Sequence, residues 1–113
     1  SEPVVSRLPS PARRGGMGIG WFGLWLDTVT DTPPGVIVAR VSSGGPAASA
    51  GIQADDVLVE VAGQRVTSFS EVTNAVVGHV SSTPPGTSTI VGVVRNGAHL
   101  RLQVVFDREF VLQ

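Results

Sequence analysis

The stretch Gly20-Trp21-Phe22-Gly23-Leu24-Trp25-Leu26 places an apolar segment directly after a glycine-containing turn. Glycine adopts positive φ and lets another backbone approach closely, because it has no Cβ atom to clash. The residues Leu24 to Asp27 are typical of a strand, and Thr28 to Gly35, with its Pro33-Pro34-Gly35 run, is typical of a loop. We therefore predict a tight turn that leads into an apolar strand.

The composition around this stretch indicates one globular domain with no electrostatic specialisation. The chain has 113 residues, of which 42% are hydrophobic and 15% charged, and it contains 14 glycines and 8 prolines. Such a mixture favours short strands joined by tight turns, with little helix. The formal net charge of −1 gives no reason to expect a nucleic-acid partner. No apolar run approaches the roughly 18 residues of a membrane span, so we expect no membrane insertion by this segment.

The absence of cysteine excludes disulfides and thiolate metal sites, although it does not exclude an oxidising compartment. The N-terminus has neither the pattern of a signal peptide nor an initiator methionine, so we expect an excised module or a mature fragment. Residues 1–16 are Pro- and Gly-containing and locally basic, which predicts a flexible linker or tether ahead of a domain at 17–113. An alternative is that Arg13 or Arg14 contacts an anionic ligand.

Further elements follow from turn signals and hydrophobic patterns. Pro46 begins a short helix that Gly51 stops, and Ile52 should enter the core behind it. The Asn96-Gly97 pair is the strongest short turn signal and predicts a hairpin. Gly92, within one strand of that hairpin, is a candidate β-bulge. The predicted strands besides the first are Val36–Val41, Val57–Val61, Ile90–Arg95 and His99–Phe106.

One longer helix should begin after Ser68. Ser68 and Glu71 form a capping-box pattern, and the helix should run to about Val80. Its apolar positions are 69, 72, 75, 76, 77 and 80. This stripe is wider than a single core contact needs, so we expect part of it to face a ligand.

Nothing in the sequence indicates catalysis or a bound cofactor. His79 and His99 are far apart and have no carboxylates at ligand spacing, so we expect neither to bind metal. Asp55 and Asp56 are adjacent in a predicted turn, where their side chains usually point apart. We therefore expect them to stabilise the turn and not to act as a catalytic acid–base pair. The glycine clusters lack a phosphate-loop ending, and no nucleophile motif is present. We therefore expect recognition without catalytic residues, metal or cofactor.

From Trp21 to about Phe106, the chain carries eight short motifs in this order: Trp21-Phe22-Gly23-Leu24, Gly35-Val36-Ile37-Val38, Gly45-Pro46-Ala47, Ala50-Gly51-Ile52, Asp56-Val57-Leu58, Ala62-Gly63, Ser68-Phe69 and Val94-Arg95-Asn96-Gly97. Their order resembles a PDZ domain, and is most similar to the PDZ modules of HtrA/Deg-type serine proteases. Asp55 stands where glycine is usual in the family and can adopt the left-handed conformation at modest cost.

The resemblance implies an α+β, mainly β fold: a partly closed sandwich or barrel of five to six strands capped by two helices. It also implies capture of the C-terminal peptides of other proteins by strand addition. The peptide would pair with an exposed edge at Leu24-Trp25-Leu26, and its carboxylate would sit on backbone N–H groups of the glycine loop.

By position, Phe22, Gly23 and Leu24 would hold the carboxylate. The remaining implied peptide-binding residues are Trp21, Trp25 and Leu26 on the strand side and Phe69, Thr73, Val76 and Val77 on the helix side. The apolar pocket predicts Val, Leu, Ile, Ala or Phe at the peptide's last position. Met17-Gly18-Ile19 could serve as the carboxylate loop in another register; we prefer Phe22-Gly23-Leu24 because of its short distance to Gly35.

The resemblance further implies an extracytoplasmic location, periplasmic or secreted and membrane-tethered, with a protease domain in cis before Ser1. On this hypothesis the chain recognises substrates for that protease or regulates it. The alternative is a PDZ adaptor in a secretion or membrane-protease system, which binds internal segments or folded partners.

Overall fold

The computed structural model describes residues 17–112, which form seven strands and two helices. The linker proposed for residues 1–16, including Arg13 and Arg14, lies outside this range. In chain order the elements are β1 (Met17–Ile19), β2 (Leu24–Asp31), β3 (Pro34–Val41), α1 (Pro46–Ala50), β4 (Val57–Val61), β5 (Gln64–Arg65), α2 (Phe69–Ser82), β6 (Ser88–Arg95) and β7 (Ala98–Val105).

All strand pairs in the sheet are antiparallel, in the order β1-β2-β3-β4-β6-β7, with β5 paired to β4. The predicted mainly β architecture with two helices is confirmed. The sheet is open and has seven strands, not five or six, because the three-residue β1 and the two-residue β5 add to the expected set. Within residues 17–112, no helix is long and apolar enough to cross a membrane.

Strand β2 is longer than its sequence predicted. The expected loop from Thr28 to Gly35 is wrong, because β2 continues to Asp31 and pairs with β3 up to Asp31↔Pro34. The turn is therefore confined to residues 32 and 33. The run Thr28-Val29-Thr30 is polar in part, but β-branched residues favour strands and an exposed strand does not need an apolar face.

The hairpin at the other end of the sheet follows the prediction. Asn96 and Gly97 both have positive φ, 52° and 80°, as a two-residue hairpin turn requires. Along β7, Val104 is buried while Arg101 and Val105 are exposed, which confirms the alternation. Ile52 is 2% exposed, so it lies in the core as expected. The irregular pairing near Gly92 lies on the opposite strand, between Leu58 and Glu60 of β4.

The capping box at the start of α2 is confirmed, with one difference. Ser68 Oγ accepts the Glu71 N–H at 3.2 Å. The Glu71 carboxylate, however, accepts from the N–H and the hydroxyl of Thr67, at 2.6 and 2.8 Å, one residue before the cap. These hydrogen bonds from Thr67 hold the pKa of Glu71 below its ordinary value of 4.5. The helix ends two residues beyond the expected Val80, at Ser82.

An ion pair between Asp56 and Arg95 ties the start of β4 to the end of β6. Arg95 Nε and Nη2 donate to the two oxygens of Asp56 at 2.8 and 2.7 Å, and the Asp56 side chain is almost fully buried. The hydrogen bonds to Asp56 raise the pKa of Arg95. The neighbouring Asp55 has φ 73°, so it adopts the left-handed conformation that the sequence allowed. The two carboxylates therefore serve turn geometry and an ion pair.

Candidate functional site

The turn before β2 is fixed by hydrogen bonds to three successive carbonyl oxygens. Trp21 O accepts from the Asp107 N–H at 3.1 Å. Phe22 O accepts from the Ala47 N–H in the first turn of α1, and Gly23 O accepts from the Ser42 N–H, each at 2.9 Å. In a planar trans peptide the N–H points away from the C=O of the same unit. The N–H groups that follow these carbonyls are therefore held pointing to the opposite side.

Two of those N–H groups converge on one acceptor. Phe22 N donates to Ile19 O at 3.2 Å, and Gly23 N donates to the same oxygen at 2.8 Å. Successive backbone N–H groups aimed at one point form a concave site that suits an anionic or strongly polar oxygen. Gly23 has φ +77°, a conformation that favours glycine and permits this arrangement. The turn therefore aims two N–H groups at one oxygen, which in this structure is the Ile19 carbonyl.

Strand β1 supplies that carbonyl and also covers the edge of β2. Met17 pairs with Leu26, Gly18 with Trp25 and Ile19 with Leu24, while β3 pairs with β2 on its other side. We expected Leu24-Trp25-Leu26 to be an exposed edge, and that expectation is wrong for this arrangement of the chain. This hairpin was not predicted from the sequence, because Gly18 and Gly20 are residues that strands disfavour. The four-residue turn at 20–23 nevertheless lets residues 17–19 fold back along β2.

The apolar side chains of the turn and of β2 face the core. Phe22, Leu24 and Leu26 are fully buried, and Ile19 is 8% exposed in the same cluster. Trp25 is half-buried and lies under Arg40, whose guanidinium carbon is 4.6 Å from the ring centroid. Ile19 therefore packs with the apolar side chains of the core.

On α2, the residues predicted for the helix side differ in exposure. Val76 is 1% exposed and belongs to the core, whereas Val77 is 42% exposed. Phe69 and Thr73 are half-buried, and the Thr73 hydroxyl donates to Phe69 O at 3.1 Å. Residues 69, 73 and 77 are spaced four apart, so they form one stripe beside the buried stripe of the helix. This stripe is the accessible part of the predicted helix wall.

Two residues near the turn were missed by the sequence analysis. The Phe110 ring packs on Gly23 and Gly45, where an added Cβ would lie 3.3 and 2.8 Å from its carbons. The Arg108 guanidinium lies 5.8 Å from the Trp21 ring centroid, and Nη2 donates to Val80 O at 3.3 Å. A basic and an aromatic residue just after the last strand were the available signals, but contacts this distant in sequence have no local pattern.

A separate concave region lies beyond the end of α2. It encloses about 670 Å³ between α1, the Pro84-Pro85-Gly86 loop and the residues that follow β7. His79 and Phe106 line it, with ring centroids 5.5 Å apart. None of the predicted strand-side residues, 21–26, contributes to it. Among residues 17–112, no group of three or more potential ligands could hold a metal ion.

Comparisons with known proteins point to one family. The family model described as a PDZ domain matches residues 37–95. A probable periplasmic serine endoprotease, DegP-like, from Halomonas elongata is 35% identical over 99 residues, which cover 80% of this chain and 20% of that protein. The periplasmic pH-dependent serine endoprotease DegQ of Escherichia coli is 32% identical over 68% of this chain and 16% of its own length.

Solved structures that share the fold include a PDZ domain and a serine endoprotease. The HtrA3 PDZ domain bound to a phage-derived ligand, FGRWV, has a TM-score of 0.62 at 25% identity, with 82% of this chain and 89% of that chain covered. The serine endoprotease from Yersinia pestis has a TM-score of 0.59 at 31% identity and is covered over 28% of its length. The chain thus spans about a fifth of the length of the first curated relatives it matches. Together with the anchored turn before β2 and the helix α2, these matches show that the chain belongs to the PDZ domain family.

Proposed function

We propose that this PDZ domain binds peptides with a hydrophobic C-terminus, as a substrate-recognition or regulatory module of an HtrA-like serine protease. The observation that carries the proposal is the turn before β2, where anchored carbonyls aim the N–H groups of Phe22 and Gly23 at one oxygen. A peptide carboxylate would take the place of the Ile19 carbonyl. Its last side chain would enter the apolar space that Ile19 now fills, and its backbone would add to β2.

Several other features support the proposal. Arg108 brings a positive charge to within 5.8 Å of the Trp21 ring centroid. The similarity to periplasmic endoproteases favours an extracytoplasmic location and a protease domain in cis. The HtrA3 PDZ domain was solved with a ligand that ends in valine, the class of terminal residue an apolar pocket selects. Because the interface is small, we expect a dissociation constant on the order of micromolar, or about −8 kcal/mol.

The test is an NMR amide-shift titration with the peptide FGRWV, in free-carboxylate and C-terminally amidated forms. We expect shifts at residues 22–26 and along residues 69–77 that the carboxylate form induces and the amide form does not. Equal shifts from both forms would contradict C-terminal capture.

Two exposed valines provide a matched pair of variants. Val77→Lys places a charge on the helix stripe, and Val105→Lys places the same charge on β7, where the residue is exposed to a similar degree, 45% against 42%. We expect Val77→Lys to weaken binding about tenfold, or 1.4 kcal/mol, and Val105→Lys to leave it unchanged. If Val105→Lys weakened binding and Val77→Lys did not, the peptide would instead bind in the cavity beside β7. Val76 is not suitable for this test, because it is buried and a lysine there would disrupt the fold.

A second candidate function is an adaptor that binds internal segments or folded partners in a secretion or membrane-protease system. The covered edge of β2 favours it, since β1 occupies the position where a peptide would add. In that case the titration would show no dependence on a free carboxylate.

A further inference from the structure

We propose that β1 is a built-in occupant of the peptide groove, which a C-terminal peptide must displace before it can bind. This inference rests on the proposed function, since it concerns the regulation of the same site. It follows from three properties of Met17-Gly18-Ile19: the direction of the strand, the contacts of its last residue, and the space around its middle residue.

The direction of β1 is that of a captured peptide. β1 runs antiparallel to β2, with Ile19 opposite Leu24 at the end nearest the turn. A peptide that added antiparallel to β2 with its carboxylate in the turn would run the same way, with its last residue at the Ile19 position. Residues 17–19 therefore occupy the three backbone positions that the end of a ligand would need.

Ile19 also occupies the site at which the last residue of a bound peptide would lie. Its carbonyl oxygen receives the N–H groups of Phe22 and Gly23, which a terminal carboxylate would otherwise receive. Its side chain is 8% exposed and belongs to the same buried cluster as Leu24 of β2 and Val76 of α2. A β-branched apolar side chain and a polar oxygen at one residue match the chemistry expected of a ligand ending in isoleucine or valine.

The tether makes this short segment an effective competitor. A three-residue strand would not pair stably as a free peptide, but a linker of four residues, 20–23, keeps it beside β2. Because the connection is short, the effective concentration of β1 beside β2 should be at least about millimolar, the value that short linkers give. Because a groove that is open in only a fraction of molecules weakens apparent affinity by that fraction, occupancy of nine molecules in ten would weaken binding about tenfold.

Gly18 provides the means to test this. A Cβ atom at residue 18 would lie 2.5 Å from Leu112 Cδ1 and 2.9 Å from the Trp25 ring, so Gly18→Ala should weaken the docking of β1. A Cβ at Gly20, in the same turn, would meet only the Phe110 carbonyl oxygen, at 3.7 Å. Gly20→Ala is therefore a matched control that leaves β1 docked.

The experiment measures the dissociation constant of FGRWV for the full chain and for the two glycine variants by isothermal titration calorimetry. We expect Gly18→Ala to bind at least tenfold more tightly than the unchanged chain, and Gly20→Ala to bind like the unchanged chain. Equal affinity in all three forms would overturn the inference while the proposed function stands. Absence of binding in all three would overturn the proposed function, and the inference with it.

A second measurement does not depend on any variant. Cross-strand NOEs between Met17 and Leu26 report the pairing of β1 with β2. We expect these NOEs in the free chain and their loss when FGRWV saturates it. If they persist in the bound state, the peptide binds without displacing β1, and the inference is wrong.

Discussion

Gly23 is the residue whose replacement tests how the carboxylate turn is built. An added Cβ at Gly23 would lie 2.9 Å from Pro46 Cδ and 3.3 Å from both Gly45 Cα and Phe110 Cε2. Gly44 has the same φ, +77°, but an added Cβ there would have no neighbour within 4 Å. The two positions share backbone strain and differ in packing, so the pair Gly23→Ala and Gly44→Ala separates the two effects.

The expected loss of unfolding free energy follows from backbone strain and from overpacking. A non-glycine residue in the left-handed region costs about 1–2 kcal/mol, and this applies to both variants. Overpacking adds about 1–3 kcal/mol, and this applies to Gly23→Ala only, because Pro46 and the Gly45 backbone have little freedom to move. We therefore expect Gly44→Ala to lower the free energy of unfolding by about 1–2 kcal/mol and Gly23→Ala by about 2–5 kcal/mol.

Equilibrium unfolding in urea measures the difference. With a slope of about 1–3 kcal/mol per molar, the midpoint of Gly23→Ala should lie about 1 M below that of Gly44→Ala. Gly23→Ala should lower the free energy of unfolding by less in a Phe110→Ala background than in the unchanged chain, since Phe110→Ala removes one of the crowding groups. Equal midpoints for the two glycine variants would refute the reasoning, because they would mean that Pro46 and Phe110 do not confine the turn.

Three further predictions concern the supports of the fold. Ser68→Ala should lower the free energy of unfolding by about 1 kcal/mol through loss of the α2 cap, as thermal unfolding would show; an unchanged melting temperature would contradict the role of the cap. The pKa of Glu71 is lower in the folded chain, so the stability that ionised Glu71 contributes is fully present above pH 4.5 and is lost as the pH falls through the folded pKa. Urea unfolding at several pH values should show that Glu71→Gln removes this part of the acid dependence. Parallel pH profiles of the variant and the unchanged chain would contradict this prediction. A double-mutant cycle of Asp56→Asn and Arg95→Met should give a larger coupling energy than exposed ion pairs show, because Asp56 is buried and the contact is bidentate; additive losses would disprove it.

Much of the fold could be predicted because its signals are local. The capping box at Ser68, the Asn96-Gly97 turn and the helix start at Pro46 each depend on residues within one turn of one another. Their outcomes agree with the sequence because backbone preferences and side-chain caps act over the same short distances. The length of β2 was missed because Thr28 and Thr30 are polar, as loop residues often are, although all three residues at 28–30 are β-branched and favour a strand.

The candidate site was only half visible in the sequence. The apolar strand after a glycine turn, from Gly20 to Leu26, was determined by the sequence itself, since glycine adopts the positive φ at Gly23 without strain and burial of apolar side chains is favourable. What covers that strand was decided by the tertiary structure. The pairing of β1 with β2 crosses only a four-residue turn, but the glycine-containing residues 17–20 give no strand signal that predicts it. The packing of Phe110 on two glycines and the hydrogen bonds that anchor residues 21–23 join segments that are close only after folding. Contacts of this kind depend on which surfaces meet in three dimensions, so no pattern along the chain reports them.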